Sequence, residues 1–369
     1  YDGKLRIISS NDGQSWESAA LLESPGKDLR DPKLSRMPDG RLMLSAAERQ
    51  QGGDTSEQTL AWNSTDGRQW SKAADLGEPN WRLWRITWRN GMGYSLAYSG
   101  KSSATTVRLF RGKDPTTFRP DVQDLGVVGG PSEASLLFLP DNTLLALVRR
   151  GAATKTATLG TSSPPYETWA WKDLDQELAG PNLIRLADGR LVVGARLAKP
   201  ARTSLCWLDA EKGTLTEFLL LPSGGSSGYP GLVEHEGMLW VSYYSSHEGK
   251  AKVYLAKVKV PDISTIGQSP APAVAPFGAK QGKTHQEAWA KHLGTEVETT
   301  NSIGMKLRVI PPGEFQMGSN KEEIERLVTD KTVAIDEAWI SRYRSEGPQH
   351  KVTLTKPVLM SVHEVTRGQ

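Results

Sequence analysis

Four short motifs hold the residues that could do chemistry. Arg30-Asp31-Pro32-Lys33-Leu34 puts an arginine on a strand; 144–149 ends a second apolar strand in Arg149. Ser132-Glu133-Ala134 sets a carboxylate in apolar surroundings, and Gly228-Tyr229-Pro230 a phenol. Guanidinium groups grip carboxylates through paired, charge-assisted hydrogen bonds. A tyrosine hydroxyl becomes a nucleophile when a neighbouring carboxylate accepts its proton. The lone cysteine, Cys206, lies in the strand-like run Ser204-Leu205-Cys206-Trp207-Leu208 and reads as buried and inert; it rules out an internal disulfide or a Cys-rich zinc site.

Far apart in the chain, these residues meet only if a repeated architecture brings strands to one axis. Six stretches share one grammar: apolar strand, Asp-Gly-type turn, apolar strand, and later a Trp-terminated turn. The hairpin turns are Pro38-Asp39-Gly40, Asn90-Gly91, Pro140-Asp141-Asn142, Ala187-Asp188-Gly189 and Glu236-Gly237. Asp-Gly and Asn-Gly between apolar runs signal hairpins because the turn needs positive φ. The Trp-terminated turns are clearest at Ser10-Asn11-Asp12-Gly13-Gln14-Ser15-Trp16 and Ser64-Thr65-Asp66-Gly67-Arg68-Gln69-Trp70, with degenerate copies at 113–118 and 162–169. Their tryptophans are expected to fill gaps between blades. A period of roughly 45 residues is that of a four-stranded propeller blade. The expected fold is mainly β: a six-bladed β-propeller over 1–260 with its first blade incomplete.

At 369 residues the chain is long for a single core. A net charge of +3 without a basic stripe argues against nucleic acid, and no apolar run is long enough to span a membrane. Both ends read as cut, so the lack of a signal peptide says nothing about export; the sequence leaves the location open, with secretion or the periplasm the expectation. Neither cofactor nor metal is expected. Residues 261–298 form a Pro/Ala-rich linker and a short helix, 284–293; a charged helical stretch, 321–340, and a strand, 351–355, follow.

The inner-strand motifs resemble those of bacterial exo-α-sialidases of the Asp-box type. Arg30-Asp31-Pro32 before Pro38-Asp39-Gly40 is similar to the family's opening Arg-Ile-Pro strand, and Ala47-Glu48-Arg49 to its Ala-Glu-Gly-Arg. The Glu133, Arg149 and Tyr229 strands follow in the family's order. The resemblance implies a sialoglycoconjugate or related acidic glycan as substrate. Sialidases depart from the two-carboxylate rule and use a tyrosine nucleophile. It puts Tyr229 as nucleophile, Glu133 as its base and Asp54 as acid/base. Arg30, Arg149 and Arg202 form the carboxylate clamp, with Arg49 shaping the pocket. Arg196 rivals Arg202, and Arg150 rivals Arg149. The arginines are expected to lower the Tyr229 pKa. Asp31 replaces an apolar family residue, and pairing with Arg30 is the expected consequence. The alternative is a non-catalytic carbohydrate-binding propeller.

Residues 299–369 resemble the opening of a formylglycine-generating, sulfatase-modifying enzyme domain, of α+β, C-type-lectin-like fold. The motifs are Asn301-Ser302-Ile303-Gly304-Met305, Pro311-Pro312-Gly313-Glu314-Phe315, Met317-Gly318-Ser319, Glu346-Gly347-Pro348 and Val362-His363-Glu364-Val365. The resemblance covers only the first part of such a domain and not its copper-binding cysteines. A role of the longer parent in sulfatase maturation is a third reading.

Overall fold

The structure is a computed structural model describing residues 3–50, 57–99, 106–151, 156–261, 270–293, 295–301, 303–329 and 336–365. The chain divides into two compact units, Tyr1–Val258 and Lys259–Gln369. Among the described residues no helix is long and apolar enough to cross a membrane.

The first unit is a β-propeller, and its described residues form six successive sheets. The first pairs β1 (Leu5–Ser9) with β2 (Glu17–Leu22). The second is the meander β3 (Lys27–Arg36), β4 (Leu42–Gln50), β5 (Glu57–Ser64) and β6 (Ala74–Asp75). In the third, β7 (Trp81–Leu83) and β8 (Thr87–Arg89) both pair with β9 (Met92–Ser99), followed by β10 (Val107–Gly112) and β11 (Arg119–Val122). The fourth holds β12 (Pro131–Phe138), β13 (Leu144–Arg150), β14 (Thr158–Ser162) and β15 (Ala170–Asp173). The fifth holds β16 (Leu178–Arg185), β17 (Leu191–Leu197), β18 (Arg202–Asp209) and β19 (Thr214–Leu220). The sixth is β20 (Ser227–His235), β21 (Met238–Ser245) and β22 (Lys252–Lys259).

Turn chemistry sets this order. Asn90 and Gly91 (φ 50° and 76°) and Glu236 and Gly237 (φ 50° and 71°) turn β8 into β9 and β20 into β21 with both central residues left-handed, as a type I′ hairpin requires. In the Trp-terminated turns one carboxylate organises the loop. Asp66 Oδ1 accepts from the amides of Arg68 and Gln69, both at 2.8 Å, and the Trp70 indole donates to the Gly67 carbonyl at 3.1 Å. Asp12 does the same with the amides of Gln14 and Ser15. In the degenerate copy Tyr166 takes the left-handed place of Gly67 (φ 72°), and Trp169 donates to its carbonyl at 3.0 Å. These tryptophans do not all plug gaps: Trp70 packs on a core cluster, whereas Trp16 is 47% exposed.

The cores lie between neighbouring sheets. One joins Leu147 and Leu159 of the fourth sheet to Val193 and Cys206 of the fifth. The first and last sheets meet where the Lys257 amine donates to the Asp12 carbonyl at 3.3 Å. Across the middle, Arg85 of the third sheet donates to the Pro181 and Pro230 carbonyls at 3.1 and 2.9 Å, tying it to the fifth and sixth.

Among its described residues the second unit contains two three-stranded sheets and three helices. β23 (Ala273–Val274) runs parallel to β26 (Gly313–Met317), which pairs with β27 (His350–Leu354). β25 (Lys306–Ile310) lies between β24 (Glu298–Thr300) and β28 (Val358–Ser361). Helix α1 spans Ala279–His292 and buries Trp289 and Ala290 with Val309. The charged stretch forms two helices, α2 (Lys321–Thr329) and α3 (Glu337–Ser345). Asp336 starts the second by accepting the Trp339 amide at 2.9 Å, an N-cap that competes with one continuous helix.

Candidate active site

Inner strands β3, β12, β16 and β20 share one local defect. Their register breaks so that Asp31-Pro32, Ser132-Glu133, Gly180-Pro181 and Tyr229-Pro230 each lie across from a single residue of the next strand. In the third sheet residues 84–86 interrupt the pairing with β9 in the same way. Such bulges re-aim side chains. Three of the four carry a proline, which cannot donate to the ladder. Asp31 and Tyr229 are left-handed (both φ 53°), a costly conformation for side-chain-bearing residues that concentrates at functional sites.

The bulges of three sheets meet. The Tyr229 hydroxyl donates to Glu133 Oε1 at 2.8 Å. Arg149 Nη1 donates to the same oxygen at 2.9 Å, and the Gly180 amide donates to Oε2 at 2.7 Å. Glu133 is buried, so these three donors replace its water. Burial first, and Glu133 second, push the Tyr229 hydroxyl well above the ordinary phenol range; Arg149 acts the other way but does not prevail. Arg149 depresses it, as the arginines were expected to, but burial and Glu133 outweigh it, so the resting group is a neutral phenol. Tyr244 stacks on Tyr229 with centroids 6.0 Å apart, and Trp84 tilts against it at 5.8 Å.

Gly180 fixes the tyrosine from below. It is left-handed (φ 60°), and a Cβ there would lie 2.6 Å from Tyr229 Cδ1. Gly180→Ala is therefore expected to cost about 1–3 kcal/mol in chemical denaturation, the scale of a strained backbone position. It should also move the Tyr229 ring off Glu133, seen as altered near-ultraviolet circular dichroism.

The other expected residues divide. Arg30 stands on β3 with its Nε 2.5 Å from Asp28 Oδ2, and its side chain is 45% exposed. Asp31 does not pair with Arg30. It takes Arg82 Nη1 at 2.9 Å, and Arg82 also grips buried Glu57 through Nε and Nη2 at 3.2 and 2.7 Å. Arg49 reaches Glu57 Oε1 at 3.3 Å and so belongs to this network. Arg202 is not brought to Tyr229. Its Nε and Nη2 are taken by Glu217 at 2.9 and 2.6 Å, in a pair between β18 and β19. Arg196 on β17 lies instead beside Gly228, where a Cβ would come within 3.0 Å of its own Cβ, and makes no hydrogen bond or ion pair among the described residues. Arg150 turns to the Thr156 carbonyl at 2.9 Å and to Asp173 at 2.8 Å, which leaves Arg149 as the arginine of the pair at Glu133. Asp54 lies outside the described residues.

Lys33, Arg82, Trp84, Arg85 and Tyr98 enter the site without having been singled out in the sequence. Lys33 sits on Trp84, with its Nζ 4.2 Å from the ring centroid. Arg82 Nη1 also donates to the Tyr98 hydroxyl at 3.3 Å. The Pro after Asp31 was the one available signal, since it marks the bulge from which these contacts radiate.

No protein-family model matches the chain, and no curated protein matches it. Solved structures do. A protein of unknown function from Dyadobacter fermentans is 20% identical over 68% of this chain and 82% of that chain, with a TM-score of 0.59. The alpha-L-arabinanase of Penicillium chrysogenum, complexed with arabinobiose, is 15% identical over 70% and 86%, TM-score 0.55. A mutant of the alpha-L-arabinofuranosidase arb93a from Fusarium graminearum, with an iminosugar inhibitor, is 14% identical over 70% and 85%, TM-score 0.57. At these identities the shared property is the fold.

Proposed function

We propose that the first unit is a glycoside hydrolase of exo-α-sialidase type, its six sheets forming six blades of which the first holds two strands. The observation that carries this reading is the 2.8 Å hydrogen bond from Tyr229 to Glu133, made between the bulges of two sheets. A strained tyrosine in direct contact with a buried carboxylate is a nucleophile and its base. On attack, the Tyr229 oxygen bonds to the anomeric carbon, its proton passes to Glu133, and the bond to the leaving group breaks. Asp54 is the proposed donor to the leaving oxygen. Water then cleaves the tyrosyl–sugar bond, with the same groups acting in reverse, and the sugar leaves with its configuration retained. A phenol suits an anomeric carbon already bearing a carboxylate, which would repel a carboxylate nucleophile. Arg149, Arg196 and Arg30 are the proposed partners of that carboxylate, Arg196 replacing Arg202. That two propeller structures of like fold act on arabinose-containing sugars supports a glycosidase reading in general.

The test is release of the fluorophore from an aryl α-sialoside alongside an aryl α-arabinofuranoside. Turnover of the sialoside alone is expected. Turnover of the arabinofuranoside alone would overturn the acidic-sugar assignment.

A binding propeller without turnover is the second reading, favoured by the pairing of Arg30 with Asp28 and of Arg149 with Glu133, which neutralises part of the clamp. Binding of the sialoside with no fluorophore released would establish it. For the second unit, we infer a partial domain of the formylglycine-generating, sulfatase-modifying type, on the order of its motifs.

A further inference from the structure

Within the first unit, the Lys33 ammonium of the central site makes no ion pair among the described residues. Lys33 follows the Asp31 bulge on β3, and its only hydrogen bond there is to the Asp31 carbonyl, at 3.1 Å. An ammonium has three donors, so two remain. It rests 4.2 Å from the Trp84 centroid and 6.0 Å from that of Tyr229. Directly beneath it is a second unmet donor. Trp84 is 2% exposed, and its indole N–H has no acceptor among the described residues. The Trp84 N–H is a buried donor without an acceptor, which costs free energy, and the half-buried Lys33 ammonium on the same ring has donors to spare; beside a nucleophile the two call for a ligand oxygen.

We propose that Lys33, seated on Trp84, forms an oxygen-accepting subsite that reads the acidic sugar beside Tyr229 and adds to the arginine clamp. This rests on the acidic-sugar reading of the site. Around Lys33 are Asp31 on its own strand, Arg82 and Arg85 from the third sheet, Glu133 from β12 and Tyr229 from β20. Burial, with Arg85 next, pushes the Lys33 ammonium down to about 7. The sign follows. Below pH 7 Lys33 is charged and binds an anionic or hydroxyl oxygen; as pH rises through 7 the charge and the contact are lost. Arginine in its place stays charged throughout.

Isothermal calorimetry with free N-acetylneuraminic acid tests this on the wild type, Lys33→Met and Lys33→Arg, each checked for an unchanged unfolding transition. At pH 6 Lys33→Met is expected to bind roughly tenfold more weakly, the loss of one charged hydrogen bond. Wild-type affinity should fall between pH 6 and 8.5, and Lys33→Arg should restore binding with a flatter profile. The methyl ester separates the sources of the oxygen: an equal loss on ester and acid assigns a hydroxyl, a loss on the acid alone assigns the carboxylate. Unchanged affinity in Lys33→Met while the wild type binds, or the same pH profile in Lys33→Arg, overturns the subsite and leaves the acidic-sugar reading intact. Absence of binding by the wild type overturns both.

Discussion

Tyr229→Phe is expected to reduce kcat for an aryl sialoside by at least about 10³-fold while the protein folds normally. Removing a nucleophile that works as a unit with its base costs on this order or more. The phenyl ring keeps the stacking on Tyr244 and Trp84 and the fit over Gly180. Only the hydroxyl leaves, and Glu133 retains Arg149 and the Gly180 amide as donors. Affinity for the free sugar should therefore stay near that of the wild type. Steady-state kinetics with calorimetry of product binding reads both quantities, and a variant with ordinary kcat would rule out the tyrosine as nucleophile.

Glu133→Ala is expected to fail in both respects. Activity falls by about 10²–10⁴-fold because Tyr229 has no base. Stability falls as well. The Gly180 amide and the Tyr229 hydroxyl lose their acceptor, and Arg149 keeps its charge without a partner. Each buried donor left unmatched costs about 1–3 kcal/mol, with the half-exposed Arg149 at the low end because water reaches it. Urea denaturation should show the loss. Glu133→Gln separates the two effects: its one amide oxygen still accepts on the Tyr229 and Arg149 side, so part of the stability returns while the base does not.

How far these features can be read in the chain depends on the range of the forces that make them. The hairpins are local. Asn90-Gly91 and Glu236-Gly237 supply left-handed residues, and the strands on either side pair as their apolar alternation requires. The turns at Asp12 and Asp66 are equally local, because one carboxylate caps amides two and three residues ahead. The Tyr229–Glu133 contact spans 96 residues, and its expectation came from the order of motifs rather than from local pattern. The partner of Asp31 was not legible. Arg82 is 51 residues away on another sheet, and no local rule prefers it to adjacent Arg30. By position Arg202 matched the family best, with Arg196 as its rival; Glu217, 15 residues on and across the strand pair, takes up Arg202, and no local pattern shows it. Lys33 went unnoticed because a strand lysine is ordinarily solvated. Its meaning comes only from Trp84 and Tyr229, brought to it by other sheets.

The most direct measurement is to trap the intermediate with a fluorinated sialosyl fluoride, which forms the covalent species and slows its hydrolysis, and to map the adduct by peptide mass spectrometry. The account predicts one sugar on the peptide containing Tyr229, absent from Tyr229→Phe. A sugar on Glu133, or turnover of a sialoside with no adduct on Tyr229, would contradict it.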